Sequence, residues 1–528
     1  MSQQEPLFPS MDEMLEAQEF AGRPALDLVY EIQQLYLEND KPWVIGFSGG
    51  KDSTTVLSLI YVALTRLEPA QRHKHIYVIS SDTLVETPLV VDMVNSSLEA
   101  INNNARELSL PMSGHVVYPE WDDTFWVNLL GKGYPAPTQS FRWCTERMKI
   151  DPVSAFIKDK IARFGEVIVV LGARSQESSS RAQVIAKHKI EGSSLSRHTS
   201  LPGAFTYMPI EDWSSDDVWM YLLGAPTPWG GDHFELFELY KDSNAGECPL
   251  VIDTKTPSCG NSRFGCWTCT VVTKDRAIEG LIESGEVWLQ KLKDFRNTLY
   301  ATTDPAVKNT YRNFKRRTGK VQYARGSIDN DDTTEVKTIP GPYLLRYRKQ
   351  WLEELLRIEK SLNDEGHTIQ LVREEELHEI RREWMFDPNE PDWSDSLPGI
   401  YQGVYGKDLD WVEHDAGAFS ETDARLVAEL SEQHEVPAEL VMKLLELELS
   451  MDGLSRRKGL FGKIESLLKN DWGSLEDIRA SKAKAIHSSV LKDQLKQQLS
   501  AQTEDLYLKS VYDEQLKSLS EEYERLKP

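Results

Sequence analysis

The sequence lacks long hydrophobic runs. No apolar stretch approaches the roughly 18–20 residues that a membrane-spanning helix needs, and the most apolar one, residues 167–171, is short and rich in β-branched side chains. Residues 1–20 are acidic and contain neither the basic nor the apolar region of a signal peptide. We therefore expect a cytoplasmic protein with no membrane partner.

Cysteine is scarce: the 528 residues contain five, and none follows residue 269. Four of them lie within 22 residues, which is unlike a secreted disulfide framework and indicates a metal or cluster site in a reducing compartment. The predicted ligands are Cys144, Cys248, Cys259, Cys266 and Cys269. The spacing Cys248-x10-Cys259-x6-Cys266-x2-Cys269 predicts a four-thiolate site and leaves zinc and an iron–sulfur cluster equally open.

Positive charge is also in short supply, since 60 Lys and Arg residues face 84 Asp and Glu residues, for a net charge of −24. This balance excludes a generally basic nucleic-acid coat protein but allows a local basic groove. A content of 40% hydrophobic and 27% charged residues excludes wholesale disorder. The length predicts two or three domains.

Strand-like and helix-like stretches alternate through the first half of the chain. Strands are predicted at residues 43–47, 76–79, 115–118 and 167–171. Such alternation predicts an α/β fold, with an open, mostly parallel sheet and helices on both faces. The predicted division is an N-terminal extension (1–25), this α/β domain (26–275), a mixed region with amphipathic helices at 281–299 and 347–362 (276–410), and an α-helical C-terminal region (411–528).

The sequence Ser48-Gly49-Gly50-Lys51-Asp52-Ser53 lies between a predicted strand and a predicted helix. Glycines allow backbone N–H groups to approach an anion, and the helix N-terminus adds a favourable dipole. Lysine and serine side chains can bind phosphate oxygens. The alternative is an ordinary glycine-rich turn, but the strand–turn–helix context favours a phosphate loop. The GxxxxGK[ST] spacing is absent, so a Walker-type motor is not indicated.

With this loop, the sequence resembles the PP-loop ATP pyrophosphatases, and within them the phosphoadenosine-phosphosulfate (PAPS) reductase-like branch. Residues 80–87 resemble the branch's D-T-x-x-E-T element, residues 142–149 its R-x-C-T-x-x-x-K segment, residues 171–178 its G-x-R-x-x-E-S loop, and residues 209–219 its P-I-x-x-W-x-x-x-D-V-W block. The resemblance covers residues 40–272 and implies a Rossmann-like fold of the adenine nucleotide alpha hydrolase type.

The resemblance implies that ATP is cleaved between its α and β phosphates when an acceptor oxygen attacks the α-phosphate. Lys51 and a Mg²⁺ ion would offset charge on the leaving pyrophosphate, with Asp52 beside them and Asp82 near the nucleotide. Arg174 would stabilise charge near the acceptor, or alternatively would form a structural salt bridge with Glu177.

The same branch favours a [4Fe–4S] cluster over zinc, because some of its members bind one with cysteines at these two places. Thr145 stands where those members have a second adjacent cysteine, so Cys248 or Cys259 would supply the missing ligand. Five thiols for four positions leave one that could carry a persulfide. The absence of a cysteine after Cys269 argues against thioredoxin-dependent PAPS reduction.

The string at residues 259–272, the length and the helical C-terminal region resemble the DndC-type DNA phosphorothioation sulfurtransferases. That family implies DNA as substrate, a cysteine desulfurase as sulfur donor, and other Dnd-type modification proteins as partners. A tRNA thiolase or sulfonucleotide-metabolising enzyme, and a nucleotide-sensing iron–sulfur scaffold, are the alternatives.

The predicted DNA contacts are basic residues with aromatic neighbours. Residues 311–320 include Arg316 and Arg317, and Arg346 and Arg348 lie beside tyrosines. A solvated basic helix face is the alternative interpretation of this segment.

Overall fold

A computed structural model describes residues 15–177, 183, 186–224, 226–243, 265–324, 338–412, 421–449, 459–470, 472–501 and 514–521. The strands are β1 Glu19–Phe20, β2 Arg23–Pro24, β3 Trp43–Gly46, β4 Ile76–Ser81, β5 Met112–Val117, β6 Val167–Val170, β7 Leu195–Arg197, β8 Ala204–Tyr207, β9 Gln322–Tyr323 and β10 Thr338–Ile339. Within these ranges, no helix is long and apolar enough to cross a membrane.

The helices of the first half are α1 Ala25–Glu38, α2 Lys51–Thr65, α3 Pro88–Glu107, α4 Trp143–Thr145, α5 Asp151–Phe164, α6 Ser215–Gly224, α7 Phe234–Ser243, α8 Arg276–Glu283 and α9 Leu289–Ala301. The rest are α10 Lys308–Tyr311, α11 Leu345–Asp364, α12 Glu374–Met385, α13 Ser396–Tyr405, α14 Glu421–Gln433, α15 Ala438–Leu449, α16 Leu460–Leu468 and α17 Leu475–Ala501. The prediction of a helical C-terminal region is therefore confirmed.

The main sheet has six strands in the order β5-β4-β3-β6-β8-β7. Every neighbouring pair is parallel except β7 and β8, which are antiparallel. The predicted open, mostly parallel sheet is confirmed. Strands β7 and β8 were not predicted, because runs of three and four residues carry little periodicity.

The sheet is buried on both faces. Trp43 and Ile45 of β3 join an apolar cluster with α1, α2 and α3, whereas Val44 joins the cluster that includes Ile157 of α5. Neighbouring residues of a strand point to opposite faces, so a strand covered by helices on both sides is apolar throughout. This arrangement explains the uninterrupted apolar runs of β3 and β6.

The chain divides into two compact units built from interleaved stretches. The first comprises Met1–Asn128, Ala136–Thr303 and Arg357–Glu376, and the second comprises Leu129–Pro135, Asp304–Leu356 and Leu377–Pro528. The first unit contains the main sheet. The domain boundaries given above, which assume consecutive stretches, stay predictions.

The single helix predicted at 281–299 is wrong. The structure has α8 and α9 there, and the chain turns between them at Gly285, whose φ is +123°. A side chain rarely adopts that conformation, so the glycine ends the helical pattern although the apolar residues continue it.

Candidate nucleotide site and cysteine turn

The phosphate loop follows β3 and leads directly into α2, as predicted. Its serines hold it closed: the Ser53 hydroxyl donates to Gly50 O at 2.9 Å and accepts from Ser48 N at 3.2 Å. Gly49 has a φ of +71°, and a Cβ on it would lie 2.6 Å from Cγ2 of Val94. Only glycine fits both the backbone conformation and the space.

A second glycine supports the loop from below. Gly172 follows β6, and a Cβ on it would lie 2.7 Å from the carbonyl carbon and oxygen of Asp52 and 2.8 Å from Ser53 N. The backbone after β6 therefore packs directly against the first turn of α2. This contact fixes where the N–H groups at the start of α2 lie.

Lys51, Asp52 and Arg174, the predicted catalytic residues, form one buried group. Asp52 Oδ2 lies 3.3 Å from Lys51 Nζ, and Arg174 Nε donates to Asp52 Oδ1 at 2.5 Å. All three residues are less than a tenth exposed. Two cations around one carboxylate leave a net positive charge under the loop, which favours an anion above it.

Arg174 thus lies beneath the phosphate loop and pairs with Asp52. Its guanidinium also donates to Trp213 O at 3.4 Å. Glu177 was the alternative partner predicted from the sequence, but its side chain lies outside the described ones. The pairing with Asp52 makes Arg174 a positioning residue for the loop in this structure.

A cleft opens above the loop at the carboxyl ends of β3 and β4. Its empty volume, including the open mouth, is about 890 Å³. Ser48, Gly49 and Gly50 line it together with Asp82, the predicted nucleotide-side carboxylate. Burial raises the pKa of the Asp82 carboxyl, although Leu84 N donates to it at 2.8 Å. A half-buried carboxylate facing a cleft is suited to a cation such as Mg²⁺.

Cys266 and Cys269 form a tight turn at the edge of this cleft. Cys269 N donates to Cys266 O at 3.1 Å, and Arg296 Nε donates to Cys269 O at 2.8 Å. Gly265, the residue before the turn, lines the cleft and its carbonyl accepts from Thr87 N at 2.9 Å. The phosphate loop and the cysteine turn therefore border the same cleft.

A carboxylate and an ammonium group accompany the Cys266 thiol. Cys266 Sγ lies 3.7 Å from Glu86 Oε1, which in turn lies 3.3 Å from Lys149 Nζ. Burial and the Glu86 carboxylate raise the pKa of the thiol well above its usual range. Glu86 was not predicted as a site residue, although it is the glutamate of the D-T-x-x-E-T element.

The described residues fit a metal cluster only in part. Cys144 lies in α4, and no group of three or more metal-binding side chains occurs among the residues that the structure describes. Cys248 and Cys259 fall in residues 244–264, outside the described ranges. The four-thiolate site thus stays a prediction, and no reaction step is derived through a cluster.

Tyr240 of α7 is a contact that the sequence analysis missed. Its hydroxyl accepts from Lys51 N at 3.3 Å, and its ring packs edge-on against Trp219 with centroids 5.2 Å apart. No local pattern marks this tyrosine, because it lies 189 residues from the loop it touches.

The basic segment of the second unit is largely engaged within the protein. Arg316 donates to Pro340 O at 2.9 Å, and Arg317 forms an ion pair with Glu383 at 2.8 Å. The helix in this region is only α10, so a basic helix face is not present at residues 312–320.

The prediction that Arg348 contacts DNA is wrong. It is fully buried, pairs with Asp387 at 2.8 Å and donates to Gly131 O at 2.6 Å, so it cannot contact DNA in this conformation. Arg346 is exposed and lies over the ring of Tyr347, 4.9 Å from its centroid. The sequence could not separate these neighbours, because they differ only in which face of α11 they occupy.

Comparison with protein families gives a match over the stretch that carries the main sheet. Residues 42–272 match the family described as phosphoadenosine phosphosulfate reductase domain. This stretch is a PAPS reductase-like PP-loop domain. It begins just before β3 and includes both the phosphate loop and the cysteine turn, so the predicted resemblance over residues 40–272 is confirmed at this level.

Individual relatives are more distant. An uncharacterized protein of Methanocaldococcus jannaschii is 29% identical over 198 residues, which is 38% of this chain and 35% of that protein. The match therefore spans about a third of the relative's length.

Two solved structures show weak likeness. The U34-tRNA thiolase from Methanococcus maripaludis, solved with its [4Fe–4S] cluster, aligns with a TM-score of 0.24 and 10% identity over 57% of this chain and 86% of that one. FMN adenylyltransferase from Candida glabrata, in complex with FAD and inorganic pyrophosphate, aligns with a TM-score of 0.23 and 12% identity over 37% and 56%. At these scores neither structure bears on the activity of this chain.

Proposed function

We propose that this chain is an ATP-dependent sulfurtransferase that activates a DNA backbone phosphate for replacement of a non-bridging oxygen by sulfur. The observation that carries the proposal is the shared cleft: the phosphate loop forms one side of it, and Gly265, next to the Cys266 turn, forms another. Nucleotide chemistry and sulfur chemistry then have access to the same space.

The loop side is suited to binding the phosphates of ATP. The N–H groups at the start of α2 and the hydroxyl of Ser48 are the donors, and the Lys51 ammonium adds charge. The Ser53 hydroxyl, which donates to Gly50 O, keeps the loop closed around them. The Asp52–Arg174 ion pair holds the first turn of α2 in place. Asp82, which lines the cleft, is the carboxylate that would hold a Mg²⁺ ion, and the ion when bound would neutralise charge on the leaving pyrophosphate.

The proposed reaction has two displacements at phosphorus. A non-bridging oxygen of the acceptor phosphate attacks the α-phosphorus of ATP, the bond from that phosphorus to the bridging oxygen breaks, and pyrophosphate leaves. The outer sulfur of a cysteine persulfide, formed by a cysteine desulfurase, then attacks the acceptor phosphorus, and the bond from that phosphorus to the former acceptor oxygen breaks as AMP leaves with that oxygen. A thiol reductant next attacks the cysteine sulfur of the remaining S–S bond, so that a disulfide forms and the phosphorothioate sulfur is released. The first displacement is needed because a phosphate oxygen is a poor leaving group and AMP is a good one.

The choice of DNA as acceptor rests on the sequence resemblance of residues 259–272 to the DndC-type family and on the long helical C-terminal region. The chain is strongly negative, and the arginines of its basic segment are engaged in contacts within the protein. Dnd-type partner proteins would therefore supply the positive charge that binds the DNA phosphates.

Mass spectrometry of nuclease digests tests the proposal. Cells would carry the chain with its genomic neighbours, as wild type, Lys51→Ala, or Lys407→Ala as a control at an exposed lysine remote in sequence from the loop. We expect phosphorothioate-linked dinucleotides in DNA from wild type and the control, and none from Lys51→Ala.

Two other outcomes would change the assignment. If thionucleosides appear in RNA from wild type but not from Lys51→Ala, and the DNA is unmodified, the assigned function would change to tRNA thiolation. Sulfur in neither pool would overturn a nucleic-acid acceptor. In vitro, release of AMP and pyrophosphate rather than ADP and phosphate would identify α–β cleavage.

A further inference from the structure

The hydroxyl of Tyr240 occupies the position above the phosphate loop where a ligand atom would be expected. It accepts a hydrogen bond from Lys51 N at 3.3 Å, and it lies 3.1 Å from the place where a Cβ on Gly50 would stand. Lys51 is the first residue of α2, so its N–H has no acceptor within its own helix.

A nucleotide phosphate would need the same donor. The N–H groups at the start of the helix after a phosphate loop are the groups that bind phosphate oxygens, and here one of them already donates to a phenol oxygen. A charged phosphate oxygen is the stronger acceptor, since charge-assisted hydrogen bonds are roughly twice as strong as neutral ones. The phenol is therefore the group that gives way.

We infer that Tyr240 is a built-in competitor for the nucleotide, whose hydroxyl takes the place of a phosphate oxygen and is displaced when ATP binds. The inference rests on the proposed use of ATP. It adds a residue that sets nucleotide affinity and reports occupancy of the cleft.

Displacement of Tyr240 would be felt by the residues around it. Leu236 and Leu239 of the same helix line the cleft, and Trp219 of α6 packs edge-on against the Tyr240 ring. Phe237 also packs edge-on against Trp219, with centroids 5.5 Å apart. Movement of the tyrosine therefore changes the environment of this tryptophan.

Nucleotide affinity gives the first test. Binding of α,β-methylene-ATP with Mg²⁺ to the full chain would be measured by calorimetry for wild type, Tyr240→Phe and Tyr30→Phe, the last being a control at a half-exposed tyrosine of α1. Tyr240→Phe keeps the ring and removes the competing oxygen, so we expect about threefold to tenfold tighter binding, the equivalent of one neutral hydrogen bond. The control should bind as wild type does.

The direction in which Tyr240→Phe changes nucleotide affinity decides whether the hydroxyl competes with the nucleotide. Weaker binding by Tyr240→Phe would mean that the hydroxyl contacts the nucleotide, and unchanged binding would mean that it does not compete; either result overturns the inference while leaving ATP use intact. If neither protein binds the nucleotide, the proposed function fails as well. Binding by Tyr240→Phe alone would support displacement.

Tryptophan fluorescence gives a second readout that does not depend on activity. The change in emission on adding the analogue should be present in wild type and reduced in Trp219→Phe. An identical change in both proteins would contradict movement at Tyr240.

Discussion

Replacing Gly172 with alanine should damage the phosphate loop from a residue that does not touch the cleft. The added Cβ would lie 2.7–2.8 Å from backbone atoms of Asp52 and Ser53, which is 0.6–0.7 Å short of an ordinary 3.4 Å contact. These neighbours are backbone atoms at the start of α2, so no side-chain rotation relieves the overlap. Overpacking of this kind costs about 1–3 kcal/mol.

The same displacement moves the N–H groups that the proposed phosphate site uses. Loss of about one charge-assisted hydrogen bond, about 1.5–3 kcal/mol, corresponds to roughly tenfold to 100-fold weaker binding of α,β-methylene-ATP. We would measure this by calorimetry, and the loss of stability by urea unfolding. Compared with wild type, Gly172→Ala should bind the nucleotide more weakly and unfold at a lower urea concentration.

Gly399→Ala is the matched control. Gly399 lies inside α13, and a Cβ on it would meet nothing within 4 Å. Alanine there should leave nucleotide binding unchanged and raise stability by about 0.5–1 kcal/mol, because glycine is a poor helix former. Wild-type affinity and wild-type stability in Gly172→Ala would refute the argument that close packing of these two backbones positions the loop.

Three further predictions concern buried ionisable side chains. Arg174→Met should lower the free energy of unfolding by about 3–5 kcal/mol by leaving Asp52 buried without its closest cation, and adding Asp52→Asn should restore part of the loss; additive effects in urea unfolding would contradict the pairing. Burial raises the pKa of Glu376 from 4.5 to about 7, so its stabilising contribution is complete below about pH 4.5 and is lost as the pH rises through about 7. Glu376→Gln should therefore gain about 3 kcal/mol relative to wild type between pH 4.5 and 8, and a pH-independent difference would count against this. Arg348→Met should cost about 3–5 kcal/mol through its buried pair with Asp387, and a wild-type unfolding midpoint would show that the pair is not formed.

The local sequence predicted those parts of the fold that depend on neighbouring residues. The apolar strands at β3 and β6 have clear patterns, and the structure has them at these places. Prediction failed between α8 and α9, where the helical spacing of apolar residues continues but the backbone conformation of Gly285 interrupts the helix. It also failed at Arg348, whose burial depends on Asp387, 39 residues away.

In the candidate site, too, some features follow from local sequence and others from tertiary packing. The sequence by itself determined the phosphate loop, because glycines and serines between a strand and a helix dictate a tight turn with exposed N–H donors. Only the tertiary structure decided what surrounds that loop: Arg174 reaches Asp52 across 122 residues, and Tyr240 reaches Lys51 across 189. The physical reason is that a turn is set by the conformations open to its own residues, whereas an ion pair or a competing hydroxyl depends on which distant elements pack together.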